Sequence, residues 1–573
     1  MIVNYTKENI IYFVIIFIVL FCPILLTEIF GIGYLNIYFV DLNPFAIISI
    51  LYFIGKQVFS ILNYLQMKKI NESELKTFPN VGIQVTGWKE DKELFKNTLL
   101  ALKRQTYKNI KKITFCSDGN DKDDEYLGDI FKEIFADGVI IKNEKTFYNM
   151  NEEERKNFLE KIKDIKHLCI LQPHAGKRHG MYTQMKIFNS MEDIDLIMLN
   201  DSDCIYSPDA VETLVKTQVA KDLDGVTGDV KIYNIENLTS YLISLKFWFA
   251  MNIERNAQSY FNCVGCLPGP FGLYKNSSIK KIIDTWVEQT LFGKECTFGD
   301  DRHLTNLILM NNGKLGYNYK PKCYTDTPTT LQRFATQQVR WGKSFLREYF
   351  VNINSFRFNT LWLSFEQTFV FFIVYYVMYL MIKNFYLANL NSILLLFSSL
   401  ILFGYLRSLI GIISTRDMSF IVFPLYGFMY FYILFPAKLW TLFTFNVTSW
   451  GTGSRLNKSF KLIDFLFIIL WLLFTSSSIF YASLDYYINE KYNFYTYIYS
   501  GFIISNITFL SCIYKFRYLK KSQQEFENQL SIIKMDNNND VIIDMEKIEK
   551  MEIEISYPEP SIDDFQPTND IIR

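Results

Sequence analysis

Five windows of this chain hold no charged residue at all: Asn9 to Thr27, Asn384 to Leu406, Met418 to Ala437, Phe465 to Leu484 and Tyr492 to Tyr514. A helix needs about 20 apolar residues to cross a bilayer, so each window is long enough to span one. Two more windows carry a single charge, Leu42 to Gln66 around Lys56 and Asn359 to Ile382 around Glu366. A secretory leader does not explain the first window. It lacks a net basic start and a small-residue cleavage site, and a second apolar window follows closely. The pattern is that of a polytopic membrane protein in a lipid bilayer.

Between Gln66 and about Phe358 the character changes to a mixed, charged, globular stretch. Short β-type runs occur at Val81 to Gly87, Ile113 to Cys116, Leu168 to Gln172 and Leu196 to Leu199. Helix-like stretches such as Lys92 to Arg104 and Glu152 to Lys166 lie between them. Alternating strands and helices predict an α/β layer with a mostly parallel sheet. The 59 Lys+Arg balance 59 Asp+Glu, so a nucleic-acid partner held by bulk charge is excluded. The nine Cys form no CxxC pair, which argues against a disulfide framework or a Cys-rich zinc site.

Lys and Arg cluster on one side of the apolar windows: Lys68 and Lys69, the globular stretch, Arg407 to Arg416, Lys438 to Lys461 and Lys515 to Lys521. Basic loops mark the cytoplasmic side, so the globular stretch and both termini are expected there. Parity then decides the window at 418–437. If it crossed, Lys438 to Lys461 would lie outside. It also holds Pro424, Gly427 and Pro436, which disfavour a straight helix. A re-entrant or interfacial element at about 418–445 is expected, with six true spans and a seven-span arrangement as the alternative. The resulting map is two membrane helices (1–66), a cytosolic domain with interfacial helices near its end (67–358), four spans and the broken segment (359–515), and a flexible acidic cytosolic tail (516–573).

Polar motifs follow the strand-like runs. Asn200-Asp201-Ser202-Asp203 places two carboxylates at i and i+2 just after a strand, where open α/β sheets bind ligands. Carboxylates together with phosphate oxygens suit Mg²⁺ or Mn²⁺; alone, such a pair is most often a solvated turn. Thr86-Gly87-Trp88-Lys89-Glu90 and Ser117-Asp118-Gly119 end two other strands, and with the Asp pair they make a nucleotide pocket. Trp88 can stack on a base and Asp118 can accept from a base or ribose. Lys177 and Arg178, beside Gly176, suit phosphate oxygens, or form a basic surface loop. Asp300 and Asp301, in Phe298-Gly299-Asp300-Asp301-Arg302-His303, offer a general base or a helix cap. In Gln337-Gln338-Val339-Arg340-Trp341, Arg340 can neutralise a diphosphate and Trp341 can stack on a sugar, or both can anchor the chain at the membrane border.

This ordered set between flanking spans resembles processive family 2 glycosyltransferases, the group that includes cellulose, chitin and hyaluronan synthases. Within it the chain is most similar to class I hyaluronan synthases, through Gln172-Pro173-His174 with Gly176-Lys177-Arg178, Gly299-Asp300-Asp301-Arg302, Gln337 to Ser344, and Trp450-Gly451-Thr452. Two departures leave the polymer open. Cys266-Leu267-Pro268-Gly269 is similar to chitin synthases, although Gly269-Pro270-Phe271-Gly272-Leu273-Tyr274 fits the hyaluronan pattern. Arg455 also stands two residues further on than the family's WGTR requires.

The resemblance implies a GT-A α/β glycosyltransferase domain inserted in a transmembrane bundle, in a plasma-membrane enzyme. It implies UDP-GlcNAc and UDP-GlcA as donors and a growing polysaccharide as acceptor, with UDP-GlcNAc alone in a chitin synthase. Mg²⁺ or Mn²⁺ would sit on Asp203 with Asp201. The donor would meet Thr86, Trp88, Glu90, Asp118, Asp201, Lys177, Arg178, Gln337, Gln338, Arg340, Trp341, Trp450, Gly451 and Thr452. Asp301 would be the base, with Asp300 and Arg302 beside it. Trp341, Cys266, Gly269, Pro270 and Glu366 would line the acceptor path, the alternative for Glu366 being a side chain snorkelling to the interface. A monomer is the expected state. A lipid-linked single-sugar transferase would explain the Asp pair alone, and a transporter only the spans.

Overall fold

The computed structural model describes residues 35–37, 40–42, 44–351, 361–448, 466–489 and 496–511. Every expected β-type run is a strand in it: the run at Val81–Gly87 is unchanged, those at 113–116 and 196–199 extend to Ile110–Ser117 and Leu196–Asp201, and that at 168–172 shifts to His167–Leu171. Nine strands form one sheet: β1 (Val81–Gly87), β2 (Ile110–Ser117), β3 (Val139–Lys142), β4 (His167–Leu171), β5 (Leu196–Asp201), β6 (Ile205–Tyr206), β7 (Gly225–Ile232), β8 (Gly272–Lys275) and β9 (Leu315–Thr325). Their order is β3-β4-β2-β1-β5-β8-β7-β9-β6. The first five in that order run parallel. β8 is antiparallel to both β5 and β7.

β1 is buried at all seven positions. Such a covered strand, polar only at Gln84 and Thr86, belongs in the middle of a parallel sheet with helices on both faces. One apolar core runs through the domain from Val81 to Cys323 and takes in Leu363 of the first membrane helix after the domain. The domain is thereby packed onto its membrane region rather than tethered to it.

Four described helices are long and apolar enough to cross a membrane: Ile48–Glu72, Leu361–Tyr386, Leu390–Thr415 and Leu466–Ile488. The expected window at 9–27 lies outside the described residues, and that at 492–514 is described as a helix over 496–511. The 418–437 window is helical but interrupted. A 3₁₀ turn (Met418–Val422) leads into a short helix (Pro424–Met429), a π-helical stretch (Tyr430–Leu434) and a second helix (Phe435–Thr444). Pro436 explains the break. It has no amide to return to the Phe431 carbonyl, the i−5 partner of a π turn. That carbonyl instead takes the indole N–H of Trp471 at 3.1 Å.

Glu366 does not snorkel. It is buried in the helix Leu361–Tyr386, where its carboxylate accepts from Tyr52 Oη at 2.7 Å and Gln258 Nε2 at 2.6 Å. A buried carboxylate inside a membrane region needs such partners.

Candidate active site

The strand ends meet along one row of the sheet. Thr86 of β1 is in register with Asp201 of β5, Gly87 with Ser117 of β2, and Ser117 with Leu171 of β4. The order of the sheet turns at β1, with β2 on one side and β5 on the other. The crevice beyond such a reversal is where open α/β sheets take ligands. The turn after β1 lies tight against the Asp-Ser-Asp turn, since a Cβ on Gly87 would come within 2.8 Å of Ser202 Oγ.

Asp201 closes β5, and its carboxylate forms an ion pair with Lys177, the first residue of the helix Lys177–Asn189. Burial opposes the lysine charge, but Asp201, Asp300 and Asp203 outweigh it and hold the ammonium above its ordinary range. Burial also pushes the Asp201 carboxyl up, against the pull of Lys177 and with the like charges of Asp203 and Asp301 adding to the rise. Among the described residues no three His, Cys, Asp or Glu side chains gather closely enough to hold a metal alone. Mg²⁺ and Mn²⁺ do not need them, because such ions bind through one or two carboxylates and complete their shell with substrate phosphates. Asp201 and Asp203 fit that mode, in a crevice with more carboxylate than lysine.

Asp301 lies in the first turn of the helix Asp300–Met310. Its Oδ1 accepts the Arg302 amide at 2.8 Å, and its Oδ2 accepts the Cys266 thiol at 3.6 Å. Burial and the Asp301 charge push that thiol up to about 12, so it stays a donor. Gly269 faces the other carboxylate, with its Cβ position 3.6 Å from both Asp201 oxygens. The segment Cys266–Gly269 therefore bridges the Asp pair and the candidate base. The Pro270 carbonyl accepts from Tyr206 Oη at 3.0 Å and so anchors the segment to β6.

The helix Leu331–Val351 carries the Gln-Gln-x-Arg-Trp motif. Gln337, Gln338 and Arg340 are half-buried. Trp341 is 39% exposed, and its ring centre is 6.1 Å from that of Phe247 on the helix Leu238–Phe249. Arg302 reaches across to Phe345 on this helix, 5.5 Å from the ring centre. The close approach of the helix requires a glycine at 299, where φ is +81° and a Cβ would lie 2.2 Å from Ser344 Oγ.

Three expected ligand contacts are corrected. Arg178 does not face the phosphates. It is 2% exposed and donates to Asp300 at 2.6 Å, to the Trp286 carbonyl at 3.3 Å and to Gln289 at 3.0 Å. Asp118 is turned inward, accepting the Ala175 and Gly176 amides at 2.9–3.0 Å and pairing with His174 at 2.8 Å. It shapes the loop before Lys177 and offers no free oxygen to a base. The Thr86 hydroxyl is buried and accepts from Gln184 at 2.8 Å. Trp88 stacks on His174 with ring centres 4.3 Å apart, and Glu90 accepts the Trp88 amide at 3.2 Å. Trp450, Gly451 and Thr452 lie outside the described residues. Two residues before Trp450, the Thr448 carbonyl accepts the Thr297 amide at 3.1 Å, just ahead of Gly299. Sequence inspection missed Gln289 and Trp286, which contact Arg178 and Asp300, and Glu348, which pairs with Gln289; it quoted His303 without giving it a role, and His303 faces Glu348.

Residues 79–344 match the family described as "Glycosyltransferase like family 2". Hyaluronan synthase 2 of Xenopus laevis is 32% identical over 447 residues, covering 76% of this chain and 80% of that relative. The chain belongs to the hyaluronan synthase family. The Homo sapiens hyaluronan synthase 2 is also 32% identical, over 73% of this chain and 77% of its own length. Hyaluronan synthase 3 of Xenopus laevis is 32% identical over 65% of this chain and 68% of its own. Among solved structures, a mannosyltransferase from Pyrobaculum calidifontis in complex with GDP-Man and Mn²⁺ aligns at 13% identity with a TM-score of 0.34, covering 56% of this chain and 81% of that one. That superposition is too loose to carry an argument. As a member of the hyaluronan synthase family the chain is a processive membrane glycosyltransferase with a GT-A sheet, acting on nucleotide sugars.

Proposed function

We propose that the protein polymerises UDP-GlcNAc and UDP-GlcA into hyaluronan and passes the chain outward through its own membrane helices. The observation that carries this is the meeting of Lys177, the Asp pair, Cys266 and Asp301 in one crevice beside the Trp341 helix. Lys177 leaves Asp201 for the diphosphate, and Arg340 approaches it from the acceptor side. A Mg²⁺ or Mn²⁺ ion on Asp203 and Asp201 supplies, when bound, further positive charge for the departing UDP. Asp301 takes the proton of the acceptor hydroxyl. The freed oxygen attacks C1, the bond from C1 to the UDP oxygen breaks, and the configuration at C1 inverts. Trp341 stacks on the acceptor sugar at the entrance to the membrane region.

Purified protein given both UDP-sugars should yield a polymer that hyaluronidase degrades and chitinase does not. Either donor alone should yield none. A chitinase-sensitive product from UDP-GlcNAc alone would replace hyaluronan with chitin, the alternative that Cys266-Leu267-Pro268-Gly269 resembles. Radiolabel confined to a lipid extract would end the polymerase proposal.

The proposed site is the plasma membrane, with six spans, the catalytic domain and both termini cytosolic, and no second copy required. Single cysteines introduced between Thr452 and Lys458 should then react with an impermeant label only after the membrane is opened, as should cysteines near Lys520. Labelling of the first set in sealed cells would make the broken segment a true span.

A further inference from the structure

Three groups assigned above to the reaction each sit beside one member of a single buried polar network. Arg178 follows Lys177. Asp300 precedes Asp301. Glu348 lies seven residues beyond Trp341, two turns along the same helix face. The network is continuous. Arg178 Nε donates to Asp300 at 2.6 Å, Arg178 Nη2 to Gln289 at 3.0 Å, and Gln289 Nε2 to Glu348 Oε1 at 2.5 Å. The second Glu348 oxygen accepts from Asn306 Nδ2 at 3.1 Å and faces His303 Nδ1 at 3.2 Å. Next to it, Arg347 Nη2 donates to the Phe298 carbonyl at 2.5 Å.

Every member of this chain is buried, Glu348 to 3% exposure. Burial pushes its carboxyl up, but His303, Arg347 and Asn306 pull it down to about 2, so it stays charged. Buried ion networks are weak stabilisers beside well-packed apolar side chains. What this one does achieve is registration. It joins the first turns of the helices Lys177–Asn189 and Asp300–Met310 to one face of the helix Leu331–Val351.

We propose that Glu348 is a positioning residue, holding the acceptor-side helix against the Asp300–Met310 helix so that Trp341 and Asp301 keep the separation that sugar transfer needs. This rests on the proposed roles of Asp301 and Trp341. Its action is indirect, since the carboxylate points into the network and reaches the reaction only through Gln289, Arg178, His303 and Asn306.

The test uses the full-length enzyme in detergent, with Glu348→Gln and Gln289→Met beside the wild type. Glu348→Gln keeps the shape but sets an amide against the donors of Gln289 and Asn306. Gln289→Met cuts the bridge to Arg178 from the other side and replaces Glu348→Gln if that variant does not fold. The expected result is a kcat for polymer formation lower by about 10²-fold, the scale of a small misplacement of reacting groups. UDP affinity and donor KM should stay at wild-type values, and the polymer should be shorter. The double variant should be no slower than Glu348→Gln, because the residues act as one unit. Normal kcat and polymer length with only a lower melting temperature would overturn the proposal, as would a parallel loss of UDP affinity and kcat. Asp301→Asn run alongside separates the two claims: its continued activity would remove the base assignment, whatever Glu348→Gln does.

Discussion

Asp203→Asn is expected to abolish polymer formation and leave the protein folded. The side chain is 7% exposed at the end of the Asp-Ser-Asp turn, where Cys204 Sγ donates to its Oδ1 at 3.4 Å. Asn has the same shape and keeps an oxygen for that weak contact, so the turn survives. What disappears is a hard anionic oxygen that a Mg²⁺ or Mn²⁺ ion prefers. Stabilisation of a leaving diphosphate by a metal is worth several kcal/mol. At 1.36 kcal/mol for each tenfold in rate, its loss removes turnover to about 10³-fold or more. The measurement is incorporation of radiolabelled UDP-sugar into polymer, with and without chelator, beside a melting curve. Full turnover in the variant, or turnover that excess chelator does not reduce, would sink the metal assignment.

Asp301→Asn is expected to lower transfer by roughly 10²-fold or more, the usual scale for a lost general base, with UDP-sugar binding retained. The melting temperature should hold, because the contacts of Asp301 are the adjacent Arg302 amide and a long thiol bond. Asp300→Asn should behave in the opposite way. Its partner is the buried guanidinium of Arg178 at 2.6 Å, and removing one side of a buried ion pair costs about 3–5 kcal/mol. The Asp300 variant should therefore lose stability first, and its surviving folded fraction should transfer sugar faster than the Asp301 variant. Donor binding, single-turnover transfer and thermal melting of both variants distinguish the two. If Asp300→Asn proves the slower per folded molecule, the base is the other carboxylate.

The strands that build the site were legible because each is a short, mostly apolar run that gives way to polar or turn residues (Gly87, Ser117-Asp118, Gln172-Pro173, Asn200-Asp201), and the parallel sheet brings such ends to one edge. Facing within a motif was not. Lys177 and Arg178 read alike as neighbours, but they open a helix, where successive side chains diverge by about 100°. One therefore meets Asp201 and the other meets Asp300 inside. Asp118 read as an open acceptor because the return of the Ala175–Gly176 loop onto it is a contact between distant segments. Glu348 did leave a trace. It falls in the helical phase of Phe334, which is 2% exposed on the same helix. A charge on that face signals a buried partner without naming it. The interruption at 418–444 was legible in Pro424 and Pro436, whereas the partner of the Phe431 carbonyl, Trp471, lies 40 residues further on and was not.

The hydrogen bond between Trp471 and the Phe431 carbonyl has a consequence for biosynthesis. In hydrocarbon an unpaired backbone carbonyl is tolerated only where protein covers it. The donor that completes the broken segment lies 40 residues later in the chain. In a chain made from its N-terminus, the segment is complete before its donor exists, so until then that carbonyl needs water or another donor. The helix Leu466–Ile488 then brings its indole alongside, so the pairing that completes the broken segment joins pieces of chain made at different times.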